Sequence, residues 1–543
     1  MNREKRALSI YDLRFTIYDS GVNLVRYVFQ ETEKRNGWSL PAILYRDAAV
    51  SYEELFRLVR KCGGMMKTLG IKPGDRVAII AADCPQWIIA FLGAIAAGAV
   101  AVPASTMLTS VELQYVLDHC GAKAAVITSE QVEKLQAVRS SLHKLENVLL
   151  IDGEADGMMS FKDWLGEAAE AEIETVSDDA LAFILYTSGS TGQPKGAMHI
   201  HRNLPYTVET FCKHVLQVAP GDRLFSSSRL FFAYGLGNSL SFPLSSGASV
   251  VLCKEKPTPT VIARIFERQR PTIFFSVPAV YRALIEYASE VNRLETRSIK
   301  FCVSAGEKLP EKIFYEWREL TGLNILDGIG STEMLQMFIS NTKEKIVPGS
   351  SGQVVPGYEA KLVDHAEQEV AGAGTGNLMI KGGSASSGYW NDEAKTAATI
   401  ENGWMRTGDL YRRDENENYW FEGRSDDLFK VKGLWVSPIE VEDALLSCDE
   451  VLEAAVVSGL NDDGMNTVLA YVVVRSKEFS EKDMAERLKA HASRLLSSYK
   501  CPTEIHFMNQ LPRTATGKLQ RFKLRETAES GSMPALRNGG ITP

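Results

Sequence analysis

The sequence Tyr186-Thr-Ser-Gly-Ser-Thr-Gly-Gln-Pro-Lys-Gly196 decides the fold and is the first indication of function. It follows the apolar run 182–186, which predicts a buried strand. A loop of hydroxyls, glycines and one lysine can surround a polyanion with hydrogen-bond donors, so phosphate is the expected ligand. A plain surface turn of small residues is the alternative. The usual mononucleotide loop has Ser or Thr after its lysine, whereas Lys195 precedes a glycine, so this loop belongs to another class.

Length and composition limit the classes of protein. The chain has 543 residues, 45% hydrophobic and 24% charged, which is typical of a globular protein with two or more domains. Its net charge of −8 gives no electrostatic support for a general nucleic-acid-binding role. Eight scattered cysteines without a Cys-x-x-Cys pair favour a reduced, cytoplasmic protein. The charged N-terminus lacks the apolar core of a signal peptide.

One apolar segment, residues 87–104, carries no charge and is nearly long enough to span a bilayer. Gly98 has the position of a helix C-cap, and Pro103 interrupts the end of the segment. These two residues favour a buried helix that leads into a buried strand. We therefore expect no stable membrane insertion.

The order of helical and strand patterns predicts the fold class. From Pro41 onward, short apolar strands, among them 249–252 and 323–325, alternate with amphipathic helices, as in a doubly wound, mostly parallel sheet. Between 352 and 389, glycines multiply and period-two alternation predicts a β-rich subdomain. After a polar stretch near Gly423, two helical patterns, the first over 438–446, and two strand patterns predict a compact α+β unit. We predict an α/β protein with a large N-terminal domain (1–423) of doubly wound, mostly parallel sheets plus the β-rich subdomain, a hinge (424–430), a small mobile α+β C-terminal domain (431–528) and a disordered tail (529–543).

Four further motifs carry polar and glycine residues. Val303-Ser-Ala-Gly-Glu307 offers a backbone surface for a planar ring, with a strand-to-helix turn as the alternative. Asp327-Gly-Ile-Gly-Ser-Thr-Glu333 follows a predicted strand, and its final carboxylate would need Mg²⁺ between itself and a phosphate. Trp404-Met-Arg-Thr-Gly-Asp409 ends in an aspartate, ordinarily a turn residue. Leu511-Pro-Arg-Thr-Ala-Thr-Gly-Lys518 carries a lysine that alone would be a solvated side chain.

The five motifs, in this order and over nearly the whole chain, resemble those of the adenylate-forming superfamily: acyl-CoA synthetases, adenylation domains of peptide synthetases and beetle luciferases. The resemblance implies an ATP-binding adenylation domain over 1–423. Lys518 would be the catalytic lysine, Thr332 would bond the α-phosphate and Glu333 would hold Mg²⁺. Ile329 stands where many relatives have an adenine-stacking aromatic residue, so it supplies only apolar contact.

The same resemblance assigns two sets of binding residues. The phosphate loop would act through Thr187, Ser188, Ser190, Thr191 and Lys195. The nucleotide would contact Ser304, Ala305, Gly306, Glu307, Asp327, Gly328, Ile329, Asp409 and Arg424. In these enzymes the aspartate at position 409 accepts both ribose hydroxyls, and Arg424 would add a cation on the same side.

The stretch Arg229-Leu-Phe-Phe-Ala-Tyr-Gly-Leu-Gly-Asn238 is similar to its counterpart in benzoate-CoA ligases and related aryl or alicyclic acid-CoA ligases; ordinary aromatic core is the alternative. Benzoate ligases typically have Leu-His-Ile where this chain has Leu335-Gln336-Met337. Because Gln336 cannot carry charge, benzoate, hydroxy- or aminobenzoates and cyclohexene- or cyclohexanecarboxylate are comparable candidates. Gln336 either recognises a ring substituent or only packs. The implied acyl pocket consists of Phe232, Ala233, Tyr234, Gly235, Gly330, Leu335, Gln336 and Met337.

The resemblance implies an AMP-forming acid–thiol ligase that uses ATP, Mg²⁺ and CoA. The small domain would swivel about Asp426 between adenylation and thioester formation, and the CoA passage would be lined by Lys432, Gly433 and Trp435. Dimers are common in this branch, so a homodimer is expected. The segment 512–518 resembles an acetylation motif, which makes a lysine acetyltransferase acting on Lys518 an expected partner. The alternatives are another adenylating enzyme, either amino-acid-activating or luciferase-like, and a non-catalytic nucleotide- or acyl-CoA-binding protein.

Overall fold

The computed structural model of the protein describes residues 23–187, 193–431, 434–460, 465–475, 479–513 and 519–530. These residues form two compact units. Unit 1 contains the described residues through Ala360 together with Met379–Thr407, and unit 2 contains Lys361–Leu378 together with the described residues from Gly408 onward. The predicted boundary at 423 and the predicted hinge 424–430 lie inside unit 2.

The described strands, in chain order, are β1 Pro41–Tyr45, β2 Ala48–Ser51, β3 Arg76–Ile80, β4 Val100–Pro103, β5 Ala122–Ile127, β6 Asn147–Leu150, β7 Met159–Ser160, β8 Leu181–Thr187, β9 Lys195–Ile200, β10 Arg223–Ser226, β11 Ser249–Leu252, β12 Ile273–Ser276, β13 Phe301–Ser304, β14 Ile325–Gly330, β15 Met337–Ser340, β16 Gln353–Val354, β17 Glu359–Val363, β18 Gly374–Lys381, β19 Ile400–Glu401, β20 Trp404–Arg413, β21 Tyr419–Arg424, β22 Phe429–Val431, β23 Leu434–Val436, β24 Val451–Leu460, β25 Asn466–Val474 and β26 Glu504–Phe507.

The described α-helices are Leu24–Lys34, Tyr52–Thr68, Pro85–Ala96, Ser110–Cys120, Val132–Gln136, Phe161–Glu167, Asn203–Thr207, Ala233–Leu236, Phe242–Ser245, Pro259–Gln269, Pro278–Val291, Glu311–Thr321, Glu393–Thr399, Pro438–Leu446, Glu481–Leu495 and Arg521–Ser530. Val208–Leu216 and Gly237–Ser241 are wound as π-helices.

A seven-stranded sheet in unit 1 carries the phosphate stretch, in the order β7-β6-β5-β3-β4-β8-β9. The neighbouring pairs from β7 to β8 are parallel, which buries their apolar side chains on both faces. β9 runs antiparallel to β8, with Thr187 opposite Lys195. The phosphate stretch therefore connects two adjacent antiparallel strands. The sequence analysis did not predict β9, because its lysine, glycine and histidine break an apolar strand pattern.

A nine-stranded sheet in unit 1 has the order β16-β15-β14-β13-β12-β10-β11-β1-β2. Its centre is parallel, so the carboxyl ends of β12, β13 and β14 lie at one edge. The predicted short strand 323–325 is wrong, because β14 begins at Ile325 and runs through Gly330. The Asp327 motif therefore starts inside a strand. Its Gly328 allows β15 to approach, since a Cβ there would overlap the carbonyl oxygen of Ile339.

Local signals explain several elements that the sequence predicted well. Helix Ser110–Cys120 starts with a capping box between Thr109 and Glu112 and ends at Gly121, whose φ of +61° suits glycine. The apolar segment from Trp87 is part of a buried helix, Pro85–Ala96, that leads into β4, as predicted. Within the described residues, no helix is long and apolar enough to cross a membrane.

Unit 2 ends in an α+β arrangement built on the sheet β24-β25-β26. Val441 and Leu445 of helix Pro438–Leu446 and Leu488 of helix Glu481–Leu495 pack against this sheet in one apolar cluster. Helix Arg521–Ser530 covers the first two residues of the predicted tail, and 531–543 lie outside the described residues. The predicted fold class, α/β with mostly parallel sheets, a β-rich stretch and an α+β C-terminal part, is confirmed.

Candidate active site

The turn between β14 and β15 carries Thr332 and Glu333. The backbone N–H of Leu335 donates to the carbonyl oxygen of Thr332 at 3.1 Å. Leu335 has a φ of +65°, a left-handed conformation that costs a non-glycine residue about 1–2 kcal/mol. This turn returns the chain so that Met337 pairs with Gly330. The strain is therefore located at a predicted acyl-pocket residue, two positions after the predicted metal ligand Glu333.

His199 of β9 is hydrogen-bonded to that turn. The imidazole is fully buried, packs on the Phe183 ring at a centroid distance of 5.1 Å, and places Nε2 2.9 Å from the carbonyl oxygen of Thr332. Burial lowers the pKa of His199 to about 4, so the ring is neutral at pH 7. Because a carbonyl can only accept, Nε2 carries the proton. The sequence analysis missed His199; its only signal was a polar residue in an apolar context.

The carboxylate of Glu333 is half-buried and has one described hydrogen-bond donor. The Tyr389 hydroxyl donates to Oε1 of Glu333 at 2.7 Å. Among the described residues, none donates a hydrogen bond to Oε2. Tyr389 follows the β-rich stretch and was also missed by the sequence analysis.

Lys195 lies at the start of β9, opposite Thr187. Partial burial, and after it the nearby Lys395 ammonium, lowers the pKa of Lys195. The Asp392 and Glu333 carboxylates act in the opposite direction. The strand that begins at Lys195 contacts the Glu333 turn, because His199 of that strand is hydrogen-bonded to the Thr332 carbonyl. The other predicted phosphate-loop residues, Ser188, Ser190 and Thr191, lie outside the described residues.

The predicted adenine-binding motifs lie side by side. Ser304 at the end of β13 is paired in register with Asp327 of β14. Ala305 follows at the same sheet edge, and Gly306 has a φ of +94°, which favours glycine. Burial raises the pKa of Asp327 to about 8. A buried acid next to small residues can donate or accept a hydrogen bond without charge. Glu307, Gly328 and Ile329 adjoin these residues in the chain.

Tyr234 begins the predicted acyl wall. Its hydroxyl lies 3.3 Å from the carbonyl oxygen of Val303 and 3.4 Å from that of Ser276, at the carboxyl ends of β13 and β12. Ala233 is buried and Phe232 is half-buried. A Cβ at Gly235 would overlap the Arg229 carbonyl, so only glycine fits there.

Gln336 packs against Gly237, three residues after Tyr234. Its side chain is 3% exposed, and a Cβ at Gly237 would overlap Nε2. The N–H of Met337 donates to Oε1 of Gln336 at 3.1 Å, which fixes the amide orientation. Nε2 is buried and has no hydrogen-bond partner among the described residues. An unpaired buried donor costs about 1–3 kcal/mol, so this atom is a candidate ligand contact.

Asp409 and Arg424 form a pair within unit 2. They lie opposite each other on β20 and β21, with Arg424 Nη1 3.1 Å from Asp409 Oδ1. A Cβ at Gly408 would lie 2.9 Å from Arg424 Nη2, so glycine leaves room for the guanidinium. Asp409 lies in a strand, and the turn expected for a lone aspartate is absent from this part of unit 2.

The remaining predicted residues are described only in part. Lys518, Lys432 and Gly433 lie outside the described residues. The backbone of Asp426 lies in the short 3₁₀ turn Ser425–Asp427, and that of Trp435 in β23; their side chains are not described.

The comparisons with known proteins cover nearly the whole chain. A family model for AMP-binding enzymes matches residues 29–390, about two thirds of the chain. The chain belongs to the AMP-binding enzyme family. A second model, for the C-terminal domain of AMP-binding enzymes, matches residues 440–518. The predicted superfamily is therefore confirmed.

Individual relatives are aromatic acid ligases. The chain is 41% identical to the benzoate–CoA ligase of Thauera aromatica, over 89% of this chain and 92% of that protein. It is similar in structure to the anthranilate CoA ligase AuaEII in complex with anthranoyl-AMP (TM-score 0.89, 34% identity, 94% and 97% of the two chains). It also resembles a benzoate CoA ligase from Burkholderia xenovorans LB400 (TM-score 0.86, 38% identity, 93% and 100%). The predicted resemblance to benzoate-CoA ligases is confirmed.

Proposed function

We propose that the protein is an AMP-forming ligase that joins an aromatic carboxylic acid to CoA. The carboxylate attacks the α-phosphorus of ATP, which forms an acyl-adenylate and releases pyrophosphate. The CoA thiolate then attacks the acyl carbon, and AMP leaves. The observation that carries this proposal is the arrangement in unit 1: the Glu333 turn, the strand ends at Ser304 and Asp327, and the Tyr234–Gln336 wall adjoin one another. No protein nucleophile is required, so catalysis consists of positioning and charge neutralisation.

Magnesium fits this site as a cation shared with the substrate. Among the described residues, no cluster of three or more His, Cys, Asp or Glu side chains could hold a metal ion. Mg²⁺ is commonly held by one or two carboxylates plus substrate phosphates, and Glu333 has one carboxylate oxygen without a described donor. Bound there, the ion would neutralise phosphate charge. Thr332 would donate its hydroxyl to the α-phosphate.

Other roles in the proposed mechanism follow from the family resemblance. Lys518 would bring its ammonium between the substrate carboxylate and the α-phosphate during adenylation. Asp409 would accept the ribose hydroxyls, with Arg424 beside it. Lys195 would contact the departing pyrophosphate. Its pKa is lowered because its side chain is partly buried. Lys432, Gly433 and Trp435 would line the CoA passage.

A hinge at Asp426 is supported by its two neighbours. The Ser425 hydroxyl is hydrogen-bonded to Asn377 Oδ1 of β18 at 2.5 Å. Asp427 is paired instead with the last helix, where Arg525 Nη1 lies 3.1 Å from its Oδ1. If the backbone turned between Ser425 and Asp427, the C-terminal part could rotate while both of these contacts were kept. Asp426 is the residue between them, and we propose it as the hinge within the predicted 424–430 segment.

The hydrogen-bond donor of the Gln336 side chain favours a substrate whose ring carries a hydroxyl group. Since Met337 N–H holds Oε1, the free group is Nε2, which can only donate. A ring hydroxyl oxygen accepts such a bond, whereas the nitrogen of an aminobenzoate accepts poorly because its lone pair is delocalised into the ring. We therefore propose that hydroxybenzoates are preferred over benzoate, aminobenzoates and alicyclic acids.

The test of the function is carboxylate-dependent exchange of pyrophosphate into ATP, over a panel of benzoate, the three hydroxybenzoates, 2-aminobenzoate, cyclohexanecarboxylate and a fatty acid, followed by addition of CoA. Exchange with aromatic acids and subsequent thioester formation are expected. Exchange without thioester would favour another adenylating enzyme. Oxygen consumption would favour the luciferase-like alternative, and absence of exchange with every acid would favour a binding protein.

Three further proposals rest on composition or resemblance. We propose a homodimer, as in this branch, to be measured by light scattering. Eight free thiols are consistent with a cytoplasmic location.

Acetylation of Lys518 by an acetyltransferase would remove its charge and stop adenylation while thioester formation from synthetic acyl-AMP continues. An acetylated protein with full adenylation activity would contradict the last proposal.

A further inference from the structure

The segment 386–390 connects two parts of the candidate site that are predicted to contact phosphate or its metal ion, β9 and the Glu333 turn. Its backbone bonds to β9 on one side: Ser387 N–H donates to the Met198 carbonyl at 3.0 Å, and Met198 N–H donates to the Gly388 carbonyl at 2.9 Å. On the other side, Ser386 N–H donates to the Glu333 carbonyl at 2.7 Å. We call residues 386–390 the strap. It connects the strand that starts at Lys195 with the turn that carries Glu333.

The strap holds Tyr389 rigidly. The ring is 7% exposed, and the Tyr389 N–H donates to Thr396 Oγ1 at 2.9 Å. The preceding Gly388 has a φ of +129°, and a Cβ there would lie 2.6 Å from Thr396 Cγ2. On the following side, Trp390 N–H donates to the Gly196 carbonyl at 2.8 Å. Tyr389 therefore has little freedom to follow a moving carboxylate.

The Tyr389 hydroxyl is a permanent donor in this position. A phenol has an ordinary pKa near 10, so the Tyr389 hydroxyl carries its proton at neutral pH and donates it to the carboxylate. Oε1 of Glu333 is thereby held at 2.7 Å from the hydroxyl. A half-exposed glutamate does not need such a bond for its solvation, because water can reach it. The consequence of the bond is a single orientation in which Oε2 is left without a described protein donor.

We propose that Tyr389 is a positioning residue for adenylation: its hydroxyl fixes the Glu333 carboxylate so that Oε2 faces the cation that accompanies the ATP phosphates. The strap adds a second effect, since it ties this orientation to β9 and hence to Lys195. The proposal rests on the proposed function for its catalytic meaning, but its effect on cation binding is measurable without turnover.

The test compares Tyr389→Phe, which removes only the hydroxyl, with Tyr52→Phe. Tyr52 is also buried and donates to the Ala248 carbonyl at 2.6 Å, so it controls for the loss of a buried tyrosine hydroxyl bond elsewhere in unit 1. Binding of Mn²⁺, used as a probe for Mg²⁺, to the enzyme–ATP complex is measured from the electron paramagnetic resonance signal of free Mn²⁺. We expect Tyr389→Phe to raise the Mn²⁺ dissociation constant about tenfold or more, the size of one hydrogen bond to a charged group, and Tyr52→Phe to leave it unchanged.

A double-mutant cycle separates positioning from general damage. In a Glu333→Gln background, Tyr389→Phe should have no further effect on Mn²⁺ binding. Full additivity of the two changes, or an unchanged dissociation constant in Tyr389→Phe alone, would overturn the proposal. In exchange assays the Tyr389→Phe defect should shrink as Mg²⁺ rises, and an equal defect at all Mg²⁺ concentrations would also overturn it. If the wild-type protein binds Mn²⁺–ATP but catalyses pyrophosphate exchange with no acid, the proposed function is wrong. The Mn²⁺-binding measurements would still decide the role of Tyr389 in that case.

Discussion

Replacement of Gln336 by methionine is the most direct test of the proposed hydroxyl-recognising contact. Methionine has similar length and an adaptable shape, so Gln336→Met removes the amide without opening a large cavity. The amide has one satisfied end, Oε1, which accepts from Met337 N–H at 3.1 Å. Its other end, Nε2, is buried without a partner among the described residues.

Two opposing free energies decide the effect on stability. The substitution removes the unpaired Nε2 donor, which costs about 1–3 kcal/mol when buried, but it also takes from the buried Met337 N–H its acceptor Oε1, a loss of about the same size. Because the two free energies offset each other, the unliganded Gln336→Met protein should have a Tm close to that of the wild type. Thermal denaturation without substrates measures this directly.

The same change should reduce selectivity. If Nε2 donates to a ring hydroxyl, its removal costs about 1–3 kcal/mol, or about 5- to 150-fold in kcat/KM for the preferred hydroxybenzoate. The kcat/KM for benzoate, which makes no such bond, should change little. The assay is pyrophosphate exchange with each acid, with Gln131→Met as the control because Gln131 is also buried in unit 1. An unchanged ratio of hydroxybenzoate to benzoate would mean that Gln336 only packs, and a large drop in Tm would refute the stability argument.

The other predictions concern charge, motion and acidity. Lys518→Ala should lose about 2.7–4 kcal/mol of adenylation, measured by exchange, while thioester formation from synthetic acyl-AMP survives; equal loss of both steps would contradict the two-conformation scheme. Asp426→Pro should slow thioester formation selectively, and an unchanged rate of that step would count against the hinge. Arg521→Met should lower the Tm of unit 2 strongly, because it leaves the buried Glu442 carboxylate, now 2.7 Å from Arg521 Nη2, without its cation, a cost of about 3–5 kcal/mol. In the folded protein the pKa of His199 is lowered to about 4, whereas in the unfolded chain it is about 6.5, so unfolding below pH 6.5 binds a proton. The free energy of unfolding should therefore fall by up to about 1.4 kcal/mol per pH unit as the pH drops from about 6.5 towards 4. A His199→Gln variant whose Tm falls equally steeply with pH would argue against this.

Helices with strong local signals were predicted closely from the sequence. Helix Pro438–Leu446 has the predicted bounds because Ser437 caps it and Pro438 starts it. β11, Ser249–Leu252, also has the predicted bounds, because a short apolar run between a glycine, Gly247, and a charged residue, Lys254, is a local property. The motifs identified the family for the same reason, since each is a contiguous string of residues that can be read without the fold.

The elements that the sequence did not predict depend on distant partners. β9 is a strand because β8 and the strap supply hydrogen bonds to residues with weak strand propensity. The Asp327 motif begins inside a strand because the close approach of β15 needs glycine at 328, whereas glycines in a sequence ordinarily indicate a turn.

The sequence by itself therefore determined the fold class, the family and the residue types of the motifs predicted to bind phosphate, nucleotide and the acyl group. Only the tertiary structure decided which atoms of those motifs have hydrogen-bonding capacity left. In Gln336, Oε1 accepts from Met337 N–H, and Nε2 has no partner among the described residues. Glu333 gained its fixed orientation from Tyr389, which is 56 residues away in the chain. The physical reason is that residue type sets what a side chain can donate or accept, whereas hydrogen-bond partners brought together by folding set which of those capacities remain for a ligand.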